Sequence, residues 1–197
     1  MMLAFIAMAA AGGAPRFPSL SSEEWADLRA GKVVMRAESE GARVTATGIV
    51  FVAVPPAVLW PAVLDVAARI PENRTLAAVH EYRRDSAEQW YLQVDMAVLG
   101  ADLRIHHHYS WDPAANVVTY TLDPMRVNDL VRADGWYLVE PTDGGSVLVY
   151  EAVTEAKVPV PGWVKKWLAR DQMEGLLQGI RERAEQGRPR WDSKASG

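Results

Sequence analysis

Between residues 75 and 157 apolar side chains recur at every second position, and from residue 163 they recur at three- and four-residue intervals instead. That change of period restricts the fold more than any other feature, because period two is the repeat of a strand and 3.6 that of a helix. The period-two segments are LAAVHEYRR (76–84), QWYLQVDMAVL (89–99), DLRIHHHYSW (102–111), NVVTYTL (116–122), VRADGWYLVE (131–140) and SVLVYEAVTEAKV (146–158). Between them lie RDSAE, GAD, DPAAN, DPMRVND and TDGG, turn signals mostly short enough to join antiparallel neighbours. After Pro159, Pro161 and Gly162, the residues Trp163, Trp167, Met173, Leu176, Leu177, Ile180 and Ala184 mark one face of a long amphipathic helix.

Ahead of the meander, SLSSEEWADLRAGK (19–32) predicts a short helix, with Ser21 or Ser22 as N-cap and Gly31 as terminator. VVMRAES and RVTATGIVFVAV then predict two strands around Gly41. A further helix is expected from Pro56, with Leu59, Val63, Val66 and Ile70 on its apolar face and Pro61 ending it, bending it or sitting in its first turn. The fold class is therefore α+β: a curved antiparallel sheet wrapped around a long C-terminal helix that covers its concave face without filling it. A single domain is expected over residues 15–187, with a fraying tail over 188–197.

The opening MMLAFIAMAAAGGAPRF is an apolar run with small residues at its exit, and it is too short to span a bilayer. Read as an export signal over residues 1–14, it implies a periplasmic or secreted protein; read as an Ala-rich tail, a cytoplasmic one. The missing basic residues ahead of the run weaken the export reading without deciding between the two. A net charge of −4 with scattered basic residues argues against nucleic acid, and the lack of cysteine removes disulfides, thiolate metal sites and thiol nucleophiles.

RIHHHYSWDP (104–113) looks most like a site. In a strand its histidines separate: His106 and His108 share one face with Arg104 and Ser110, and His107 shares the other with Ile105, Tyr109 and Trp111. Two histidines without further ligands do not make a metal centre, so no metal and no cofactor is expected. His107 reads either as a half-buried core histidine or as a polar group that orients a ligand head in an apolar pocket. In VRADGWYLVE, Arg132 and Asp134 share a face with Trp136 and Leu138, and hydrophobicity leaves open which face is concave. Trp90 and Leu92 begin an unbroken apolar strand face continued by Val94, Met96 and Val98.

Three stretches are similar to the START-like (SRPBCC) superfamily, in its bacterial polyketide cyclase/dehydrase, lipid-transport and coenzyme Q-binding branch. They are ATGIVFVAVPPAVLWPAVLD, the RIHHHYSWDP…VTYTLDP hairpin, and GWYLVEPTDGGSVLVYEAVTEAKVPVPGWVKKWL, and together they span residues 43–186. The resemblance implies a helix-grip fold with a hydrophobic cavity between sheet and last helix, and it favours Trp136 inward, which keeps Arg132 as a candidate. The candidate ligand-binding set is Trp90, Leu92, His107, Tyr109, Tyr120, Arg132, Trp136, Trp167, Met173 and Leu177. The expected function is binding, and carriage, of a lipid, sterol, quinone or polyketide-like molecule without catalysis. The alternatives are an aromatase/cyclase-like enzyme using His107 or Tyr109, and a ligand-sensing module. Trp163, Lys165, Lys166 and Trp167 would form a lip for transient membrane contact.

Overall fold

The strands of a computed structural model form one antiparallel sheet in the spatial order β1 (Val34–Glu40), β2 (Arg43–Val52), β8 (Gly145–Ala156), β7 (Leu130–Thr142), β6 (Val117–Leu122), β5 (Ala101–Asp112), β4 (Gln89–Val98) and β3 (Leu76–Arg84), open between its edge strands β1 and β3. The structure describes residues 15–187 apart from 72, 74, 99 and 158–161, and for 162–169 and 171 it describes the backbone only. The export segment 1–14, the tail 188–197 and the side chains of Trp163, Lys165, Lys166 and Trp167 lie outside the described residues.

Helix α1 (Ser22–Arg29) begins with a capping box: the Ser21 hydroxyl accepts from the Glu24 N–H and the Glu24 carboxylate accepts from the Ser21 N–H. Strands β1 (Val34–Glu40) and β2 (Arg43–Val52) form a hairpin that turns at Gly41, whose φ of 57° suits glycine. Helix α2 (Pro56–Leu64) stops earlier than its apolar spacing predicts. Pro61 removes one helical N–H donor, and Asp65 leaves helical geometry to cap a new 3-10 turn over Ala67–Arg69, its carboxylate accepting from the Ala68 N–H at 3.0 Å. That break turns Arg69 inward.

The meander follows as β3 (Leu76–Arg84), β4 (Gln89–Val98), β5 (Ala101–Asp112), β6 (Val117–Leu122), β7 (Leu130–Thr142) and β8 (Gly145–Ala156), and β8 pairs back onto β2. Helix α3 (Gly162–Glu185) lies over β1 and β2 and beside α2. It comes close because Gly48 presents no side chain: a Cβ there would sit 2.5 Å from Leu177 Cδ1 and 2.8 Å from Met173 Sδ. The helix is thus seated on one half of the concave face, and the space between it and β4–β6 is left unfilled.

Both faces of the sheet are apolar around β2, β7 and β8. On the concave face Val50, Val52, Val139 and Leu148 join Leu177 and Ile180. On the opposite face Ile49, Leu138, Val147 and Val149 pack with Leu28, and Trp25 and Trp136 close over them. The inward position given to Trp136 by the resemblance is therefore corrected: Tyr137 and Val139 face α3, and Trp136 belongs to the layer that α1 covers. Its indole donates to Glu151 Oε1 at 3.1 Å. Arg132 shares that outer face and pairs with Asp134 at 2.5 Å, so it does not reach a ligand in the concave space.

Candidate functional site

The concave space is a cavity of about 670 Å³, within the range of small-molecule sites. Its walls come from alternate residues of β4, β5 and β8: Val94 and Met96, Ile105 and His107, Tyr150 and Ala152. Ala46 of β2 and Met173 and Leu176 of α3 close the roof. Lining residues at one end are solvent-exposed (Asp102, Asp129, Thr154 and Lys157), which marks the mouth. At the other end Arg69, His107, Tyr109, Tyr120 and Tyr137 are buried, which makes a closed floor.

The floor is an aromatic stack with polar atoms in it. Tyr137 and Tyr150 stack at 4.3 Å, and the Tyr120 and Tyr150 hydroxyls are hydrogen-bonded at 2.8 Å. Tyr120 reaches across β7 because its pairing partner there is Gly135: a Cβ at that position would lie 2.4 Å from the Tyr120 hydroxyl oxygen. Burial pushes the hydroxyls of Tyr109, Tyr120 and Tyr150 above the ordinary phenol range, so they stay protonated.

His107 is 8% exposed and meets Tyr109 and Tyr120 edge-on at 5.8 and 5.0 Å. Neither ring nitrogen has a partner in hydrogen-bonding geometry, although the Ala133 backbone lies near enough to favour the charged ring slightly. Burial dominates and lowers its pKa to about 4, so the ring is neutral at pH 7, with one donor and one acceptor left over.

Arg69, absent from the sequence-based set, completes the floor. Its guanidinium donates to the Tyr137 hydroxyl at 2.8 Å and to the Val63 carbonyl, and its charge lies 5.1 Å from the Tyr137 ring centre. The only sequence signal for it was an arginine just past Pro61 and Asp65. On an unbroken helix such a residue reads as solvated.

Of the ten candidate residues, His107, Tyr109, Tyr120 and Met173 line this cavity. Trp90 and Leu92 line a smaller one of about 340 Å³ next to it, with Asp65 and Trp111; Trp90 stacks on Tyr109 at 5.3 Å. Leu177 is fully buried over Gly48, behind the lining. Arg132 and Trp136 are on the far side of the sheet, and the Trp167 side chain is outside the described residues. His106 donates its Nδ1–H to the Val127 carbonyl and His108 stacks on Tyr91 at 4.4 Å, both on the outer face. Among the described residues no three His, Asp or Glu side chains are grouped to hold a metal ion.

No family model matches the chain, and no curated protein matches it. Solved structures do. A STAR-related lipid transfer protein fragment from Xanthomonas axonopodis is 15% identical, with a TM-score of 0.64 over 77% of this chain and 92% of that one. A START superfamily protein from Mycobacterium smegmatis is 22% identical, with a TM-score of 0.60 over 72% and 97%. The Zhui aromatase/cyclase from Streptomyces sp. R1128 is 15% identical, with a TM-score of 0.56 over 78% and 95%.

Proposed function

From a START-like helix-grip fold that leaves an apolar cavity under its last helix, we propose that this protein binds and carries a hydrophobic small molecule. The cavity is the observation that carries the reading. Burying roughly 300 Å² of apolar ligand at about 25 cal/mol/Å² contributes on the order of 7 kcal/mol before ordering costs, enough for useful affinity without chemistry. The similar folds of a lipid transfer protein and of an aromatase/cyclase support a hydrophobic ligand and leave two roles to weigh.

The floor favours carriage over turnover. A general base works best with a pKa near the working pH, and His107 at about 4 is a weak one. Tyrosines raised by burial are correspondingly poor acids, and neither ring nitrogen of His107 is hydrogen-bonded to any of them. The aromatase/cyclase reading keeps His107 beside Tyr109 in its favour and predicts conversion of a polyketide that is lost in His107→Ala.

An environment-sensitive apolar dye tests the binding. About one dye per chain is expected, displaced by the molecule that co-purifies. Ala152→Phe, which projects a ring into the cavity from β8, should fold and lose the dye. A folded Ala152→Phe that binds as well as wild type overturns the proposal, and co-purified ligand returned chemically altered moves it to the enzyme.

Exchange with a membrane is proposed to use the mouth. The β6–β7 loop holds Met125 and Val127 out, each 85% exposed, next to Asp129 and Leu130 of the cavity wall. Trp163, Lys165, Lys166 and Trp167 at the start of α3 are the second proposed contact. A Met125→Asp/Val127→Asp variant should deliver a fluorescent lipid between vesicles several-fold more slowly with unchanged dye affinity; unchanged delivery removes the loop from the proposal.

A further inference from the structure

Arg69 is a permanent charge at the closed end of an apolar cavity, 4% exposed. Among the described residues no carboxylate lies within ion-pair distance of it; the arginines at positions 36, 43, 83, 84, 104 and 132 all have one. Its partners are a phenol and a backbone carbonyl, and its Nε is buried with no acceptor. Asp65, four residues earlier, also keeps one buried carboxylate oxygen unpartnered, but it lines the smaller neighbouring cavity. A buried cation without an anion is costly, and an apolar cavity supplies nothing to offset it.

Two other polar floor groups line the same space. Neither ring nitrogen of His107 has a partner in hydrogen-bonding geometry, although the Ala133 backbone lies near, and Tyr109 lines the cavity beside it. The Tyr120 and Tyr150 hydroxyls satisfy each other and drop out. What remains at the floor is a set of donors around one positive charge, and it fits an anionic acceptor with two oxygens.

Resting on the carrier reading above, we infer that the ligand is an amphiphile with a single carboxylate, held head-inward against Arg69, His107 and Tyr109 with its apolar part towards the mouth. The orientation follows from the gradient along the cavity. Among the described residues the mouth carries exposed Asp102 and Asp129 against the single cation Lys157, a net negative rim, whereas the floor holds Arg69 with no carboxylate, and the apolar stretch of Val94, Met96 and Ile105 lies between them. Entry head-first places the charge where it meets a partner and the chain where it is shielded.

The probe is a fluorescent polyene fatty acid compared with its methyl ester at pH 8, on wild type and on Arg69→Gln. Wild type should bind the acid about ten- to a hundredfold more tightly than the ester, the range of a charge-assisted hydrogen bond. Arg69→Gln should lose that preference and bind acid and ester alike. Should Arg69→Gln fail to fold, wild type with a carboxyl-¹³C fatty acid serves instead: the bound carboxyl resonance should stay at its ionised position from pH 8 down to pH 5. Equal binding of acid and ester by wild type, or a bound carboxyl that titrates as it does free, overturns the head-inward carboxylate and leaves the carrier standing. Binding of neither acid nor ester overturns both.

Discussion

Acidifying the protein should cost it stability through His107. In the unfolded chain an imidazole takes up its proton near pH 6.5, whereas burial in the cavity floor holds His107 neutral down to about pH 4. Above pH 6.5 neither state binds the proton and the group contributes no slope. Between these values only the unfolded chain binds it, so stability falls as pH falls. The deficit grows to about 1 kcal/mol at pH 5.5 and to about 3 kcal/mol at pH 4 and below. A domain of ordinary stability, about 5–15 kcal/mol, would feel that as a large fraction.

The assay is urea unfolding at pH 7.5, 6.5, 5.5 and 4.5 on wild type and His107→Gln. The difference between the two isolates the imidazole. Glu24, whose pKa is lowered by the Ser21 N–H, and Asp95, lowered by Arg104, add their own losses in acid, but they are the same in both proteins. His107→Gln should therefore lose about 2–3 kcal/mol less than wild type between pH 7.5 and 4.5. Parallel profiles would show that His107 is protonated or solvated in the folded protein, and the neutral floor on which the carrier reading leans would fall with it.

Two further outcomes are expected. Gly135→Ala puts a methyl 2.3 Å from the Glu151 carbonyl oxygen as well as against Tyr120, so β7 and β8 must part; a loss of about 1–3 kcal/mol, seen as a lowered melting temperature, is expected, and an unchanged one would show that the strands give way freely. Arg132→Ala removes an ion pair on the outer face and should leave dye and fatty-acid affinity unchanged within twofold in equilibrium titrations, whereas a tenfold loss would return Arg132 to the site.

The strands, their succession along the chain and the long last helix were legible in the sequence because each depends on a local period. Alternation decided that His107 parts from His106 and His108, and no tertiary contact was needed to say so. Trp136 was not legible. Alternation divides VRADGWYLVE into two faces but does not say which is concave, and here α1 covers the outer one, so a large apolar residue fits there too. Nor was Arg69, because its direction depends on a helix that ends at Leu64 and on an Asp65 cap that starts a new turn. The cavity is likewise a tertiary product. Gly48 lets α3 sit close over β2, Gly135 lets Tyr120 cross β7 to close the floor, and the volume between exists because the sheet curves away from a helix it holds at one side. A sequence carries the period of each element and the sign of each charge. Which face is covered, and which charge is left without a partner, depends on residues far apart in the chain, and packing alone brings them together.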